Sequence, residues 1–360
     1  MIKIAVALLL FSISFSCTVQ PAGIGSSLPE ELTQQVDALF EPWNRATSPG
    51  MTVGVLHHGQ FVYLRGFGSA DLEEGRPNRA QTVFRIASTS KQFTAACIAL
   101  LIERGNLSME TPLETWFPEF SDWAAGVELQ HLIYHTSGIP DYLDLHRQDF
   151  FTPQESMEIL RKRGKLRFEP GTQYEYSNSN YFLLAEIMTR ASGIPFHEFA
   201  MQEIFEPLQM NNSHFHFDPQ HQVKHGAHGY GKELFRGWVN WDTELAHIGD
   251  GGLFTNVLDL ARWDENFYTL TVGDQAWLEL MLKPSLNTYA FGLSIQEQTD
   301  LGPMIWHGGS WSGFNSEIIR FPDHHFSVIV LSNSDTVDAT DLAIKVARKC
   351  TSWLKDSLAN

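Results

Sequence analysis

The chain opens on an apolar run, "MIKIAVALLLFSISFSC", with one early charge at Lys3, apolar residues from Ile4 to about Ile13 and small residues leading to Cys17. This layout predicts a secretory signal peptide over residues 1–17, too short for a comfortable membrane span, followed by a polar linker over 18–26. In "SLPEELTQQVDALFEPW" the residues Leu32, Val36, Leu39, Phe40 and Trp43 fall on one helical stripe, with Ser27 as the expected cap and Glu30 answering it three residues later. Two runs rich in β-formers follow, "MTVGVLHHG" and "QFVYLRGFG", and their junction at His58-Gly59 predicts an antiparallel hairpin. From Phe93 the apolar residues Ala96, Cys97, Leu100 and Leu101 keep helical spacing until Gly105.

From there to about Phe267 the pattern is helical or loop-like, with few strand signals and turn punctuation at "HTSGIPDY", "FEPGTQYEYSNSN" and "GDGGLFTN". Strand patterns return in "YAFGLSIQ", "PMIWHGG", "NSEIIRFP" and "FSVIVLSN", and a helix is expected from about Ala339 to Leu354. The order predicts a mixed α/β (α+β) domain over residues 27–356. Its antiparallel layer draws on about 27–92 and 285–356, and an all-helical region fills about 93–284. A cleft is expected between the two, where small-molecule sites tend to form.

Composition narrows the function. A formal charge of -17 opposes nucleic-acid phosphates and anionic lipid surfaces, and "RKRGKLR" is the one dense basic run, read as a solvated helix end. Cys97 and Cys350 lie too far apart in sequence to suggest a disulfide framework and read as buried fillers. Cys17, after "SFS", fits either the end of a plain signal or the acylated cysteine of a lipoprotein, although Ser14 stands where a leucine is usual.

Chemistry concentrates in "FRIASTSKQFTAA". Ser88 and Lys91 are three apart, so on a helix they share a face and an amine can reach a hydroxyl. A serine becomes a nucleophile only when a neighbouring base takes its proton, and a lysine is such a base only if its pKa is lowered. By itself Ser-x-x-Lys reads as a helix cap beside a solvated lysine. Two further stretches change that reading: Tyr176-Ser177-Asn178 directly before an apolar helix, and His307-Gly308-Gly309 on a predicted strand. The three motifs, in this order, resemble those of the serine β-lactamase and penicillin-binding superfamily, in the branch of class C β-lactamases, D,D-carboxypeptidases, D-aminopeptidases and related esterases. The likeness runs from about Leu32 to Ser352 and includes "LIYHTSGIP", "IFEPLQM" and "GDGGLFTNVLDLARW".

This resemblance implies a β-lactamase-like fold and an exported, cofactor-free serine hydrolase, periplasmic or on the outer surface, that forms an acyl-enzyme on Ser88. Lys91 and Tyr176 would share and relay the serine's proton, either of them being the base. Asn178 would donate to the substrate or hold Lys91. The backbone N–H groups of Ser88 and Ser310 would form the oxyanion hole, with Gly309 allowing close approach. The substrate would be an amide or ester: a D-amino-acid peptide, a peptidoglycan-type peptide or a small ester. His307 stands where efficient β-lactamases of this branch carry lysine, which favours peptidase, amidase or esterase chemistry over antibiotic destruction. Trp306, Trp311, Phe314 and Tyr142 would line an apolar pocket. A slowly deacylating binding or sensor module is the alternative from a different class. The histidines of "NNSHFHFDPQHQVKHGAHGY" lack a His-Glu-x-x-His pattern, so no metal is expected, and no Gly-x-Ser-x-Gly elbow occurs. No protein or nucleic-acid partner is expected.

Overall fold

The computed structural model describes residues 28–146, 150–218 and 221–358. The expected leader, the linker and Ser27 lie outside the described residues. Helix α1 spans Glu30–Phe40 and is entered through Pro29 at φ -49° with no side-chain cap. Proline replaces the expected serine cap because its fixed φ suits a helix entrance and its missing N–H is not needed there. Leu32, Val36 and Phe40 are buried from the predicted stripe.

Strands β1 (Met51–His57) and β2 (Gln60–Phe67) form the expected hairpin. Its turn holds His58 at φ 49° and Gly59 at φ 70°, the two left-handed conformations that a tight two-residue turn requires. Helix α2 (Lys91–Glu103) follows, then α3 (Asn178–Ser192) and α4 (Val257–Thr269). Strands β3 (Ser294–Gln296), β4 (Met304–Trp311), β5 (Phe314–Phe321) and β6 (Phe326–Ser332) come next, and helix α5 (Ala339–Leu358) ends the described chain. One six-stranded sheet results, in the order β3-β4-β5-β6-β1-β2, and every neighbouring pair is antiparallel.

Strand β6 is buried on both faces. Val328 and Val330 point into a core with α1 and α5, while Ile329 and Leu331 point into a second core shared with α2, α3 and α4. This follows from the two-residue period of a strand: "FSVIVLS" must supply apolar atoms to both sides. Helix α2 is likewise buried from Lys91 through Leu101, so burial extends all round the helix and takes in the polar Lys91, Gln92 and Thr94 of its first turn. Cys97 and Cys350 are free thiols, both buried.

Two expectations about strands need correction. "YAFGLSIQ" is a strand only at Ser294–Gln296. Upstream, Gly292 turns at φ 66°, and a Cβ there would come within 2.5 Å of the Gln92 nitrogen, so the backbone bends around α2 instead of extending. The helical region also carries strand pairs: Leu253–Thr255 sits between Phe84–Arg85 and His214–Phe215, and Tyr230–Glu233 pairs with Gly237–Asn240. Two- to four-residue strands are too short to produce a readable alternation.

The turn Ala87–Ser90, a tight 3₁₀ segment leading into α2, is clamped against β4 and β5. Ser316 Oγ donates to the Ile86 carbonyl at 2.7 Å, and Thr89 Oγ1 donates to the His307 carbonyl at 3.2 Å. Ser90 Oγ reaches the Ala87 carbonyl at 2.5 Å and accepts from the Leu253 amide at 3.2 Å. Ala87 itself is held at φ 45°, a conformation that costs free energy for a residue with a Cβ and persists because these contacts surround it. A Cβ at Gly309 would lie 2.2 Å from the Ile86 carbonyl oxygen and 2.8 Å from the Ser88 nitrogen. Glycine is therefore what lets β4 lie against the turn.

Gly309→Ala should slow fluorophosphonate labelling of Ser88 by roughly 100-fold through displacement of this turn; unchanged labelling in a folded variant would refute the close-approach argument. The sheet is joined to α4 by Arg320 Nε donating to Asp264 Oδ1 at 2.7 Å, both side chains nearly inaccessible. Asp264→Ala should cost about 3–5 kcal/mol in denaturant unfolding, because it strands the buried guanidinium. A loss below about 1 kcal/mol would show that the cation does not depend on Asp264.

Candidate active site

Lys91 is the first residue of α2 and is fully buried. Its Nζ donates to Ser88 Oγ at 3.1 Å, to Asn178 Oδ1 at 2.8 Å and to the Asp250 carbonyl at 2.6 Å. The helical spacing thus delivers the amine to the hydroxyl. Burial pushes the Lys91 pKa down to about 8, and the nearby carboxylates of Asp250 and Asp141 oppose that fall. About a tenth of such an amine is neutral at pH 7.

Tyr176 faces the same two residues. Lys91 Nζ lies 4.9 Å from the centre of its ring. Its hydroxyl is buried without a formed hydrogen bond, although Ser88 is close enough to favour the phenolate somewhat. Burial dominates and holds the phenol well above its usual range. In the resting site Tyr176 is therefore neutral, and of the two groups expected to carry the proton Lys91 is the one poised near physiological pH.

Asn178 starts α3 and links this group to the loop before it. Its Oδ1 accepts from Lys91, while its backbone N–H and Nδ2 donate to Asp141 Oδ2 at 2.8 and 2.9 Å. Of its two expected roles, the resting geometry displays the positioning of Lys91.

His307, on β4, is buried, and both ring nitrogens are engaged, with Nδ1 at 2.7 Å from the Gly308 carbonyl and Nε2 at 3.0 Å from Tyr289 Oη. Since a carbonyl only accepts, the hydrogen is on Nδ1 and Tyr289 donates to Nε2. Burial, aided by the Lys91 charge, pushes its pKa down to about 3, so the ring is neutral at physiological pH. Gly309 and Ser310 continue the strand beside the serine turn. Ser310 and Ser88 both border an open cleft of about 650 Å³ that includes Tyr174, Tyr176, Trp306 and Thr340. The same two serines also border a smaller pocket of about 180 Å³.

Sequence reasoning missed several contributors. Asp250, inside the quoted "GDGG", supplies the carbonyl that anchors Lys91, and its Oδ2 accepts from Tyr142 Oη at 2.6 Å. Tyr142 is thus part of a polar network as well as an apolar wall. Asp141 and Tyr289 were likewise hidden, since only tertiary contacts give them work. Phe314 is buried core and borders neither pocket at Ser88. Trp306 lines the cleft and Trp311 the small pocket. Among the described residues no group of three or more His, Cys, Asp or Glu side chains is arranged for a metal ion. In the histidine-rich stretch, His214 and His216 lie in ring contact, whereas His228 pairs with Asp242 at 2.5 Å.

Known proteins share the sequence pattern and the fold of this chain. The family profile described as Beta-lactamase matches residues 34–350. Penicillin-binding protein 4* of Bacillus subtilis is 32% identical over 329 residues, covering 84% of this chain and 72% of that protein. The D-aminopeptidase of Brucella canis is 27% identical over 311 residues, and the match spans 83% of this chain but only 58% of that enzyme. Among solved structures, the octameric penicillin-binding protein homologue from Pyrococcus abyssi superposes with a TM-score of 0.77 at 26% identity, covering 90% of this chain and 77% of that one. The D-amino acid amidase of Ochrobactrum anthropi SV3 shares the fold with a TM-score of 0.78 at 21% identity, covering 90% and 99% of the two chains. With this match over most of its length, the chain belongs to the beta-lactamase family and is a serine hydrolase related to penicillin-binding proteins and D-aminopeptidases.

Proposed function

We propose that Ser88 is acylated by an amide or ester substrate and that Lys91 is the base that frees it. The observation that carries this reading is the buried Lys91 amine, 3.1 Å from the Ser88 hydroxyl, with its pKa lowered to about 8. Ser88 Oγ attacks the substrate carbonyl carbon, and its proton passes to Lys91 Nζ. The negative charge that develops on the carbonyl oxygen is met by the backbone N–H groups of Ser88 and Ser310. On collapse the bond to the amine or alcohol breaks, and Lys91 returns the proton to the leaving group through the neutral Tyr176 hydroxyl. Water then attacks the acyl-enzyme by the same route in reverse, giving the free acid and restoring Ser88.

Support for amide or ester cleavage in place of β-lactam destruction comes from His307. A neutral imidazole tied to Gly308 and Tyr289 offers no cation on the strand to a drug's carboxylate. D-amino-acid peptides and small esters are the substrate classes in view, in keeping with the names of the relatives. Action outside the cytoplasm, with or without a lipid on Cys17, is part of the same proposal and rests on the leader-like residues 1–17.

Ser88→Ala should abolish labelling by a fluorophosphonate or penicillin probe while leaving the protein folded, and full-strength labelling would sink the assignment. Lys91→Ala and Tyr176→Phe should each slow acylation at least about 100-fold in a stopped-flow assay. The base must be neutral to act, so kcat/KM should climb with pH up to about 8 and level off above it, with no step from His307 near pH 6.5. A profile flat between pH 6 and 9 would remove Lys91 from the role of base. A panel of a D-amino-acid p-nitroanilide, a D-Ala-D-Ala peptide, nitrocefin and short-chain p-nitrophenyl esters should show turnover of the first, second or last with little on nitrocefin. Turnover confined to nitrocefin would overturn the substrate reading.

A further inference from the structure

Four buried polar atoms without partners gather at one pocket of this molecule. Arg85 Nε, His247 Nδ1, Trp311 Nε1 and Asp250 Oδ1 all lack a hydrogen-bond partner, and all four side chains line the 180 Å³ pocket beside Ser88. Buried donors and acceptors are nearly always paired, so such a gathering implies a partner that belongs there. Two of the four are obligate donors. His247 makes a third in the tautomer in which Ser156 Oγ, placed between His146 Nε2 at 3.1 Å and His247 Nε2 at 2.8 Å, donates to His247.

Arg85 is the centre of the case. It is 6% exposed, and among the described residues no carboxylate is in ion-pair contact with it. Its one hydrogen bond, from Nη2 to the Leu245 carbonyl, is long at 3.4 Å. Burial lowers its pKa only to about 10, so it stays cationic at neutral pH. The Asp250 and Asp242 carboxylates support this charge from a distance without an ion-pair contact, and the guanidinium fork is left free to take a carboxylate directly. The other positive charge beside Ser88, Lys91, is already held by three acceptors, and His307 is neutral. Asp250 also lines the pocket, and its carboxylate is one of the charges that support Arg85. Leu143 and Leu245 supply apolar wall for a short methylene chain.

We propose that this pocket is a carboxylate subsite that selects substrates whose acyl part carries a short anionic side chain, of aspartyl or glutamyl length, held by Arg85 with Trp311 and His247 as further donors. The proposal rests on Ser88 being the acylated nucleophile.

The test uses two esters with one leaving group, mono-p-nitrophenyl glutarate and the uncharged p-nitrophenyl pentanoate. Wild-type kcat/KM should favour the anionic ester by about 10-fold or more, and Arg85→Gln should reduce that ratio at least about 10-fold, with Arg85→Lys retaining part of it. A wild-type ratio at or below one, or an equal loss on both esters in Arg85→Gln, would overturn the subsite. Should Arg85→Gln not fold, the wild-type protein decides alone: glutarate should slow fluorophosphonate labelling of Ser88 and glutaramide should not, and equal effects count against the proposal. Absent labelling at Ser88 would instead condemn the nucleophile assignment. In that event calorimetry of glutarate against glutaramide still judges the pocket, with preferential glutarate binding supporting it and equal binding refuting it.

Discussion

The interaction on which the rest of this structure depends is the removal of the Lys91 amine from water. An ammonium group at the buried start of α2 is tolerable only where acceptors replace its hydration, and three do so: Ser88 Oγ, Asn178 Oδ1 and the Asp250 carbonyl. Each comes from a different segment. The serine turn, the entrance of α3 and the loop before Leu253–Thr255 are therefore fixed relative to one another by one charge. The same burial that makes the amine expensive lowers its pKa to about 8, so one constraint both assembles the site and makes its lysine basic enough and neutral enough to act.

The sheet supplies the opposing wall. Strand β4 can lie against the serine turn because Gly309 has no side chain to collide with Ile86 and Ser88. Thr89 and Ser316 then tie the turn to β4 and β5 by hydrogen bonds. His307 departs from the lysine of efficient β-lactamases in more than charge. Its ring is locked between Gly308 and Tyr289, which makes it a structural member of the wall.

Much of this was legible in the chain. The hairpin at His58-Gly59 was visible because alternating β-formers met at a turn dipeptide, and the Ser88–Lys91 pairing because a spacing of three holds on any helical turn. Tyr176-Ser177-Asn178 and His307-Gly308-Gly309 were found as motifs, and folding brings them to the same cleft. The errors have local causes. Ser27 looked like a cap because its side chain suits one, but Pro29 enters the helix. "YAFGLSIQ" looked extended throughout, yet Gly292 must fold back over α2. Phe314 was read as pocket lining and is core, whereas Tyr142 lines the small pocket as expected and in addition donates to Asp250.

By itself the sequence determined which residues could do chemistry, since nucleophile, amine, phenol and glycine are properties of residue types and short spacings. It also determined the class of fold, because two-residue and 3.6-residue apolar periods are local and survive in a linear string. Only the tertiary structure decided the state of those groups. Whether Lys91 or Tyr176 is ready to take a proton depends on burial and on charges brought from Asp141 and Asp250, which lie far away along the chain. An isolated arginine in "FRIAS" is likewise ordinary until folding removes its water and leaves it without a carboxylate in contact, because desolvation is a property of the surroundings and not of the residue.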